Sequence, residues 1–189
     1  VHWGGGTPNM LGSDGLARLA ALLRQSFSFG DDAEIAAELD PRILTEEQVA
    51  GFADAGLRRA SLGVQDFNPE VQAAINRIQP FEMTARAVGW LRSAGIGGIN
   101  LDLMYGLPLQ TVESVVATVD QAATLRPDRV ALFGYAHVPW MKKHQRLLPE
   151  DKLPGPAERL RQAEAAAERL VAHGYVRIGL YPNQGVAWY

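Results

Sequence analysis

The feature that most constrains the fold is a regular alternation of short runs with a β-strand period and longer runs with a helical period. This alternation is typical of α/β proteins in which βα units surround a parallel sheet. Six runs are predicted to be strands: Val1–Gly4, Ala33–Asp40, Leu57–Gln65, Gly97–Met104, Arg129–Tyr135 and Tyr175–Leu180. A closed barrel of eight units needs about 250 residues. The 189-residue chain is therefore predicted to form a partial (β/α)6-type barrel with parallel strands and outer helices.

Local signals mark where the helices between these strands begin and end. Ser13 is a predicted N-cap, and Thr45 with Gln48 is a predicted capping box. Three glycines stand just before predicted strands, where they are expected to end the preceding helices: Gly56, Gly95 and Gly174.

The overall composition excludes several classes of function. The 18 basic and 21 acidic residues are spread along the chain, which argues against nucleic-acid binding and favours a small-molecule ligand. No apolar run is long enough to span a bilayer and no leader is evident, so a cytoplasmic protein without membrane contact is expected. Cysteine is absent, which excludes disulfides, thiolate catalysis and cysteine-bound metal for these residues. The four histidines lack ligand spacing, and no metal site is predicted.

Polar residues lie on one face of three successive predicted strands. Glu38, Gln65 and Asp102 each alternate with apolar residues that point to the opposite face. Because active sites of such folds lie at the carboxyl ends of the strands, the three side chains are predicted to converge there. A polar lumen costs free energy unless a polar ligand fills it. The alternative for each residue is that it caps the following helix or satisfies a loop.

A glycine-rich segment, Gly4-Gly5-Gly6-Thr7-Pro8, follows the first predicted strand. Three glycines let the backbone approach a ligand closely. The spacing matches neither a phosphate loop nor a dinucleotide-binding motif. A simple strand-to-helix turn is the alternative interpretation.

Six ordered motifs together resemble a known enzyme family. They are His2–Pro8, Ala37–Pro41, Ser61–Phe67, Asn76–Arg77, Asn100–Pro108 and Tyr135–Pro139. Over nearly the whole span from Val1 to Leu180 the chain is similar to the oxygen-independent coproporphyrinogen III oxidases, which are radical S-adenosylmethionine enzymes. The resemblance implies a radical S-adenosylmethionine partial barrel.

The resemblance also implies where S-adenosylmethionine binds. Gly5, Gly6 and Thr7 correspond to residues that contact its methionine end through backbone and hydroxyl groups. Arg77 corresponds to the partner of the methionine carboxylate, which suits a guanidinium because it donates two parallel hydrogen bonds. Ala136 corresponds to a backbone contact near the adenine.

The three strand residues take roles in the same implied site. Glu38, Gln65 and Asp102 correspond to polar contacts with the amino group and the ribose of the cofactor. The alternation of polar and apolar residues and the resemblance thus indicate the same three positions. The residues that contact the porphyrin are not indicated by either argument.

The implied activity is the oxidative decarboxylation of coproporphyrinogen III to protoporphyrinogen IX in anaerobic heme biosynthesis, by a monomer that receives electrons from a donor protein. The family also implies a 4Fe-4S cluster, but the C-x-x-x-C-x-x-C loop expected before Val1 is absent. The family's Asp-His-Phe-Ala run is also missing after Leu180. We therefore expect an incomplete barrel core at 1–180, a divergent tail at 181–189, and no activity from this fragment alone.

Three alternatives remain at this point. Heme chaperones share the glycine motif, but they usually carry serine in place of Asp66 and lack the His-Trp lead-in. A cluster-free module would bind S-adenosylmethionine or a porphyrin without turnover. An unrelated aldolase-like barrel lacks a convincing Schiff-base lysine, because Lys142, Lys143 and Lys152 lie in or next to one loop.

Overall fold

The computed structural model describes residues 1–4, 6–30, 32–181 and 185–188. The strands are β1 (His2–Trp3), β2 (Ile35–Leu39), β3 (Leu57–Gln65), β4 (Gly98–Tyr105), β5 (Arg129–Gly134), β6 (Arg177–Tyr181) and β7 (Gly185–Trp188). The α-helices are α1 (Gly12–Ser26), α2 (Glu46–Asp54), α3 (Pro69–Ala74), α4 (Phe81–Ser93), α5 (Val112–Thr124) and α6 (Pro156–Ala172). Among these described residues, no helix has the length and apolar character needed to cross a membrane.

The strands form one sheet in the order β1-β2-β3-β4-β5-β7-β6. Strands β1 and β2 pair in parallel, with His2 opposite Ala36, and β2 pairs in parallel with β3, with Leu39 opposite Leu62. The five strands β1 to β5 are parallel and alternate with helices. The prediction of a parallel α/β sheet built from βα units is therefore confirmed.

The sheet edge beyond β5 differs from the prediction of six parallel strands, because the sixth strand does not pair directly with the fifth. Strand β7 lies between β5 and β6 and is antiparallel to both, with Val130 opposite Trp188 and Tyr181 opposite Gly185. The segment predicted to be a tail thus contributes β7, which pairs antiparallel with β6. Whether residue 180 is a domain boundary stays a prediction.

The chain divides into two compact units. Unit 1 comprises residues 1–63 and 82–100, and unit 2 comprises residues 64–81 and 101–189. In unit 1 the fully buried Phe52 of α2 packs against Trp3, with ring centroids 5.9 Å apart. In unit 2 the buried residues Val71, Leu107 and Tyr135 form a hydrophobic cluster.

Local signals account for most helix boundaries. The backbone N–H of Gln48 donates to Thr45 Oγ1 at 3.2 Å and that of Thr45 donates to Gln48 Oε1 at 3.1 Å, so the predicted capping box is confirmed. The N-cap predicted at Ser13 is wrong. A 3-10 turn (Pro8–Leu11) runs directly into α1 at Gly12, which places Ser13 inside the helix. The three predicted stop glycines adopt positive φ: Gly56 (+89°), Gly95 (+79°) and Gly174 (+90°).

Helices α5 and α6 of unit 2 are joined by a charged cluster. Asp120 accepts hydrogen bonds from the Arg169 guanidinium, and its Oδ1 lies 2.6 Å from His173 Nε2. The hydrogen bonds from Arg169 lower the pKa of the Asp120 carboxyl.

Candidate cofactor site

The glycine motif of unit 1 adjoins the predicted contact Glu38. His2 Nε2 lies 3.1 Å from Glu38 Oε1, and the Glu38 side chain is half exposed. A Cβ at Gly4 would lie 2.8 Å from His2 Nε2 and 3.2 Å from the carboxyl carbon of Glu38. A side chain at position 4 would therefore push the His2 ring away from the Glu38 carboxylate.

Gly6 of the motif borders open space. A Cβ at Gly6 would have no atom within 4 Å. A groove of about 350 Å³ is lined by Gly4, Gly6 and Thr7 together with residues of β1 and α1. Trp3 also lines it, and within the described part of the chain its buried indole Nε1 has no hydrogen-bond partner. The motif is thus accessible to a ligand and retains an unused donor beside it. The predicted contact Gly5 lies outside the described residues.

A buried asparagine connects the segment after the motif to the end of β2. Asn9 Nδ2 donates to the Asp40 carbonyl at 3.0 Å, and Asn9 Oδ1 accepts from the Asp40 N–H at 3.1 Å. The Gln48 side chain donates to the Asn9 carbonyl at 2.6 Å. These three bonds hold the chain after the glycine motif next to the strand that carries Glu38.

In unit 2, Gln65 sits at a tight reversal at the end of β3. Its φ is +71°, and the N–H of Asp66 donates to the Val64 carbonyl at 3.0 Å across it. A non-glycine residue in this region of φ is uncommon and occurs often at functional sites. The reversal leaves Gln65 half-buried and turns the next side chain, Asp66, into the interior.

The fully buried Asp66 carboxylate is satisfied by its neighbours. Asp66 Oδ1 accepts from the Asn68 N–H at 2.6 Å, and Asp66 Oδ2 accepts from Gln110 Nε2 at 2.5 Å. Burial raises the pKa of this carboxyl, and these hydrogen bonds oppose that rise. The network anchors the turn that presents Gln65.

A second buried amide, Gln72 of α3, organises the loop that carries Arg77. Its Nε2 donates to the carbonyls of Asp66 (2.9 Å) and Gln79 (2.6 Å), and its Oε1 accepts from the Gln79 N–H at 2.9 Å. Its backbone carbonyl accepts from the Arg77 N–H at 2.8 Å. Asn76, just before Arg77, has φ +52°. Gln72 therefore donates two hydrogen bonds and accepts two, and together they fix the backbone of the loop that carries the half-buried Arg77.

Asp102 and Ala136 occupy the strand β4 and the loop after β5. Asp102 is half-buried between the buried Leu101 and Leu103, in agreement with the predicted alternation. Ala136 is exposed, and its carbonyl accepts from Gln145 Nε2 at 3.0 Å.

The predicted site residues are thus distributed over both units. Glu38 belongs to unit 1 with Gly6 and Thr7, and four others belong to unit 2: Gln65, Arg77, Asp102 and Ala136. The convergence of Glu38, Gln65 and Asp102 stays a prediction. The sequence interpretation missed the pairing of His2 with Glu38, for which the His-Trp lead-in was the available signal. It also missed Gln72 and Gln145, because a buried glutamine has no distinctive sequence signature.

No cluster-binding group is found among these residues. The sequence contains no cysteine, and within the described ranges no group of three or more histidine, aspartate or glutamate side chains could hold a metal ion. Iron-sulfur clusters are held by cysteine thiolates. A 4Fe-4S cluster does not fit the donors of this chain, whereas the accessible glycine motif and the adjoining carboxylate suit S-adenosylmethionine.

A parallel sheet of βα units with a glycine motif after the first strand and polar residues at later strands defines the class of radical S-adenosylmethionine barrels. The chain belongs to the Radical SAM superfamily, whose sequence profile matches residues 1–122. This family uses S-adenosylmethionine and a 4Fe-4S cluster. Radical S-adenosylmethionine methyltransferase TsrM from Kitasatospora setae, 20% identical with a TM-score of 0.61, shares the fold over 72% of the chain.

Within the superfamily, the similar proteins point to one group. The oxygen-independent coproporphyrinogen III oxidase of Bradyrhizobium diazoefficiens is 53% identical over 95% of this chain and 40% of its own length. Coproporphyrinogen III oxidase (HemN) from Escherichia coli, described as a radical SAM enzyme, superposes with a TM-score of 0.93 at 40% identity, covering 99% of this chain and 42% of that one. An uncharacterized protein of Sinorhizobium fredii, y4hJ, is 48% identical over 92% of this chain and 67% of its own length. The chain spans about 40% of the length of the oxidases that it matches.

Proposed function

We propose that this chain is the cofactor-binding barrel segment of an oxygen-independent coproporphyrinogen III oxidase in anaerobic heme biosynthesis. The observation that carries the proposal is the 53% identity to such an oxidase over 95% of the chain. The geometry supports it, because the glycine motif adjoins Glu38 and the loop of Arg77 is held by an extensive hydrogen-bond network. Two of the relatives reported above are named as coproporphyrinogen III oxidases, and none of those reported is named as a heme chaperone, which favours the oxidase.

The residues of the chain would bind and orient S-adenosylmethionine. The backbone at Gly5 and Gly6 and the Thr7 hydroxyl would contact its methionine end. The Arg77 guanidinium would donate two parallel hydrogen bonds to the methionine carboxylate. The Glu38 carboxylate would accept from the amino group, and His2 would hold that carboxylate in place.

Gln65, Asp102 and the backbone of Ala136 would complete the site on the nucleoside side. Gln65 and Asp102 offer amide and carboxylate oxygens to the ribose hydroxyls. If a longer polypeptide supplies the cluster ligands, the bound cofactor would supply radical chemistry that removes hydrogen from an unactivated carbon. In the proposed reaction two propionate side chains of coproporphyrinogen III each become a vinyl group. Each would give up a hydrogen atom to the nucleoside part of the cofactor, carbon dioxide as the leaving group, and one electron to an external electron acceptor. An electron donor protein would serve the complete enzyme.

A second candidate function is a module that binds S-adenosylmethionine or a porphyrin without turnover. This function needs no group that the 189 residues lack, because it requires no cysteine. The two candidates share the cofactor site and differ only in whether cluster ligands come from elsewhere in a longer polypeptide.

Calorimetric titration of the 189-residue chain with S-adenosylmethionine tests the cofactor site that the two candidate functions share. The variants Glu38→Gln and Arg77→Lys should each bind about tenfold more weakly or worse, because each loses a charge-assisted hydrogen bond. The matched controls Glu47→Gln and Arg18→Lys change exposed residues of α2 and α1 and should bind like the parent. Equal affinity in all five proteins would contradict the site.

Turnover separates the two candidates. The gene should be read upstream of the codon for Val1, and the longer polypeptide should be assayed anaerobically for 5'-deoxyadenosine and carbon dioxide. A three-cysteine loop with product formation supports the oxidase. A longer polypeptide that binds S-adenosylmethionine but has no such loop and forms no product identifies the binding module.

A further inference from the structure

The segment 138–147, named here the β5 loop because it follows β5, has an unusual exposed surface. Three large apolar side chains are largely exposed: Trp140 (71%), Met141 (72%) and Leu147 (86%). The same ten positions hold Lys142, Lys143, His144 and Arg146 and no acidic residue. Large exposed apolar residues grouped together mark binding surfaces more often than isolated ones do. The β5 loop therefore combines an apolar surface with a cationic one.

Hydrogen bonds hold the β5 loop in a defined conformation. The buried Gln145 accepts from the Val138 N–H at 2.5 Å and donates to the Ala136 carbonyl at 3.0 Å. The Lys142 N–H donates to the Val138 carbonyl at 2.9 Å, and Arg146 Nε donates to the Pro139 carbonyl at 3.3 Å. A ligand that binds here meets a surface that is already ordered, which lowers the entropic cost of binding.

The lysine charges of the β5 loop are available to a ligand. Lys142 and Lys143 are exposed, and in the part of the chain that the structure describes neither forms an ion pair. Two acidic residues, Glu150 and Asp151, follow the loop. Asp151 lies 3.3 Å from Lys152, and Glu150 lies 3.9 Å from His137.

A groove of about 320 Å³ borders the loop and is of a size that accommodates part of a small molecule. Its walls include Trp140, Arg146 and Leu148, and the acidic residue Glu150 also lines it. It also lies next to the backbone of Ala136, the proposed adenine contact, because Gln145 lines the groove and donates to the Ala136 carbonyl.

We propose that the β5 loop binds the tetrapyrrole substrate, a class of ligand with an apolar ring system and several peripheral carboxylates. Trp140 and Met141 would contact the pyrrole rings, and Lys142, Lys143 and Arg146 would pair with the carboxylates. The proposal rests on the proposed function and adds the substrate-binding surface to it. Charge complementarity favours the tetrapyrrole as the ligand. The β5 loop has three cationic side chains and no acidic one, which matches a ligand with several carboxylates around an apolar ring system.

Fluorescence titration of the 189-residue chain with coproporphyrin III, the stable oxidised form of the tetrapyrrole, tests this surface. The double variant K142E/K143E should bind about tenfold more weakly, because two attractive charge pairs become repulsive. The variant K142R/K143R keeps both charges and should bind like the parent. The matched control R18E/R58E makes the same net-charge change at exposed positions of unit 1 and should also bind like the parent.

Two further measurements separate the charge contacts from the ring contacts. The uncharged coproporphyrin tetramethyl ester should bind the parent and K142E/K143E equally. The variant Trp140→Ala should lose affinity for the acid and the ester alike. Circular dichroism melting curves should show that all variants fold like the parent, which exposed side chains permit.

The outcomes distinguish this proposal from the proposed function. Failure of the parent to bind coproporphyrin III, or equal affinity of the parent and K142E/K143E, overturns the role of the β5 loop. Equal weakening by K142E/K143E and R18E/R58E overturns it too, since the effect would then arise from net charge alone. The titrations of the Glu38 and Arg77 variants with S-adenosylmethionine test the cofactor site independently. A negative porphyrin result would therefore overturn the role of the β5 loop without contradicting the proposed cofactor site.

Discussion

Replacing Gln72 with methionine should disconnect the loop that carries Arg77 from the rest of unit 2. Methionine has a similar length and fills the space, so the change leaves little cavity. It removes the three side-chain hydrogen bonds that Gln72 makes with Asp66 and with both backbone groups of Gln79. Gln72 is only 3% exposed and Gln79 is fully buried, so water cannot replace these bonds.

The magnitude follows from the number of bonds. A net loss of about 1 kcal/mol for each hydrogen bond with a buried group predicts a destabilisation of about 3 kcal/mol. The loop from 73 to 79 should also lose its fixed geometry, so the Arg77 guanidinium would no longer be held in one orientation for its proposed contact with the methionine carboxylate. Binding of S-adenosylmethionine should therefore weaken, whereas binding of decarboxylated S-adenosylmethionine, which lacks that carboxylate, should change little.

Denaturant unfolding measures the first effect, with the midpoint and the slope fitted separately. Titration with S-adenosylmethionine and its decarboxylated form measures the second. The control Gln121→Met makes the same chemical change at an exposed position of α5. A destabilisation below about 1 kcal/mol, or an unchanged ratio of the two affinities, would refute the idea that Gln72 positions Arg77.

Three further outcomes are expected. Gly106→Ala should destabilise by about 2–3 kcal/mol, because φ is +82° and the new Cβ would lie 2.8 Å from Nε of Arg159. The control Gly174→Ala, with φ +90° and open space around it, should cost only about 1 kcal/mol, and equal costs in denaturant unfolding would contradict the crowding argument. The raised pKa of Asp66 means that the folded chain holds its proton more tightly than the unfolded chain. The stability of the parent relative to D66N should therefore fall as the pH rises from about 3.9 through the raised pKa. The lowered pKa of Asp120 has the opposite sign, so the stability of the parent relative to D120N should be lost as the pH falls through that pKa. Parallel pH curves of unfolding midpoints for the two variants would be inconsistent with these signs. Anaerobic reconstitution of the 189-residue chain with iron and sulfide should give neither a cluster absorption band nor 5'-deoxyadenosine under dithionite, because the chain has no thiolate ligand. A reproducible band with product would show that other donors suffice.

Features encoded within a few neighbouring residues could be predicted from the sequence. The βα alternation, the Thr45–Gln48 capping box and the stop glycines all depend on side-chain period or on hydrogen bonds between residues three or four apart. The alternation of Leu101, Asp102 and Leu103 was also readable, because a strand points successive side chains to opposite faces.

Tertiary structure decided everything that depends on residues far apart in the chain. Strand β7 enters the sheet between β5 and β6 because its backbone pairs with residues more than fifty positions earlier, which no local pattern records. Serine is a residue type that favours the N-cap position. The 3-10 turn before α1 nevertheless makes the helix begin at Gly12, so Ser13 lies inside the helix. His2 meets Glu38 across 36 positions and Gln110 meets Asp66 across 44. Buried amide and carboxylate groups like these are placed by the partners that the fold brings to them, because without those partners their burial would be too costly.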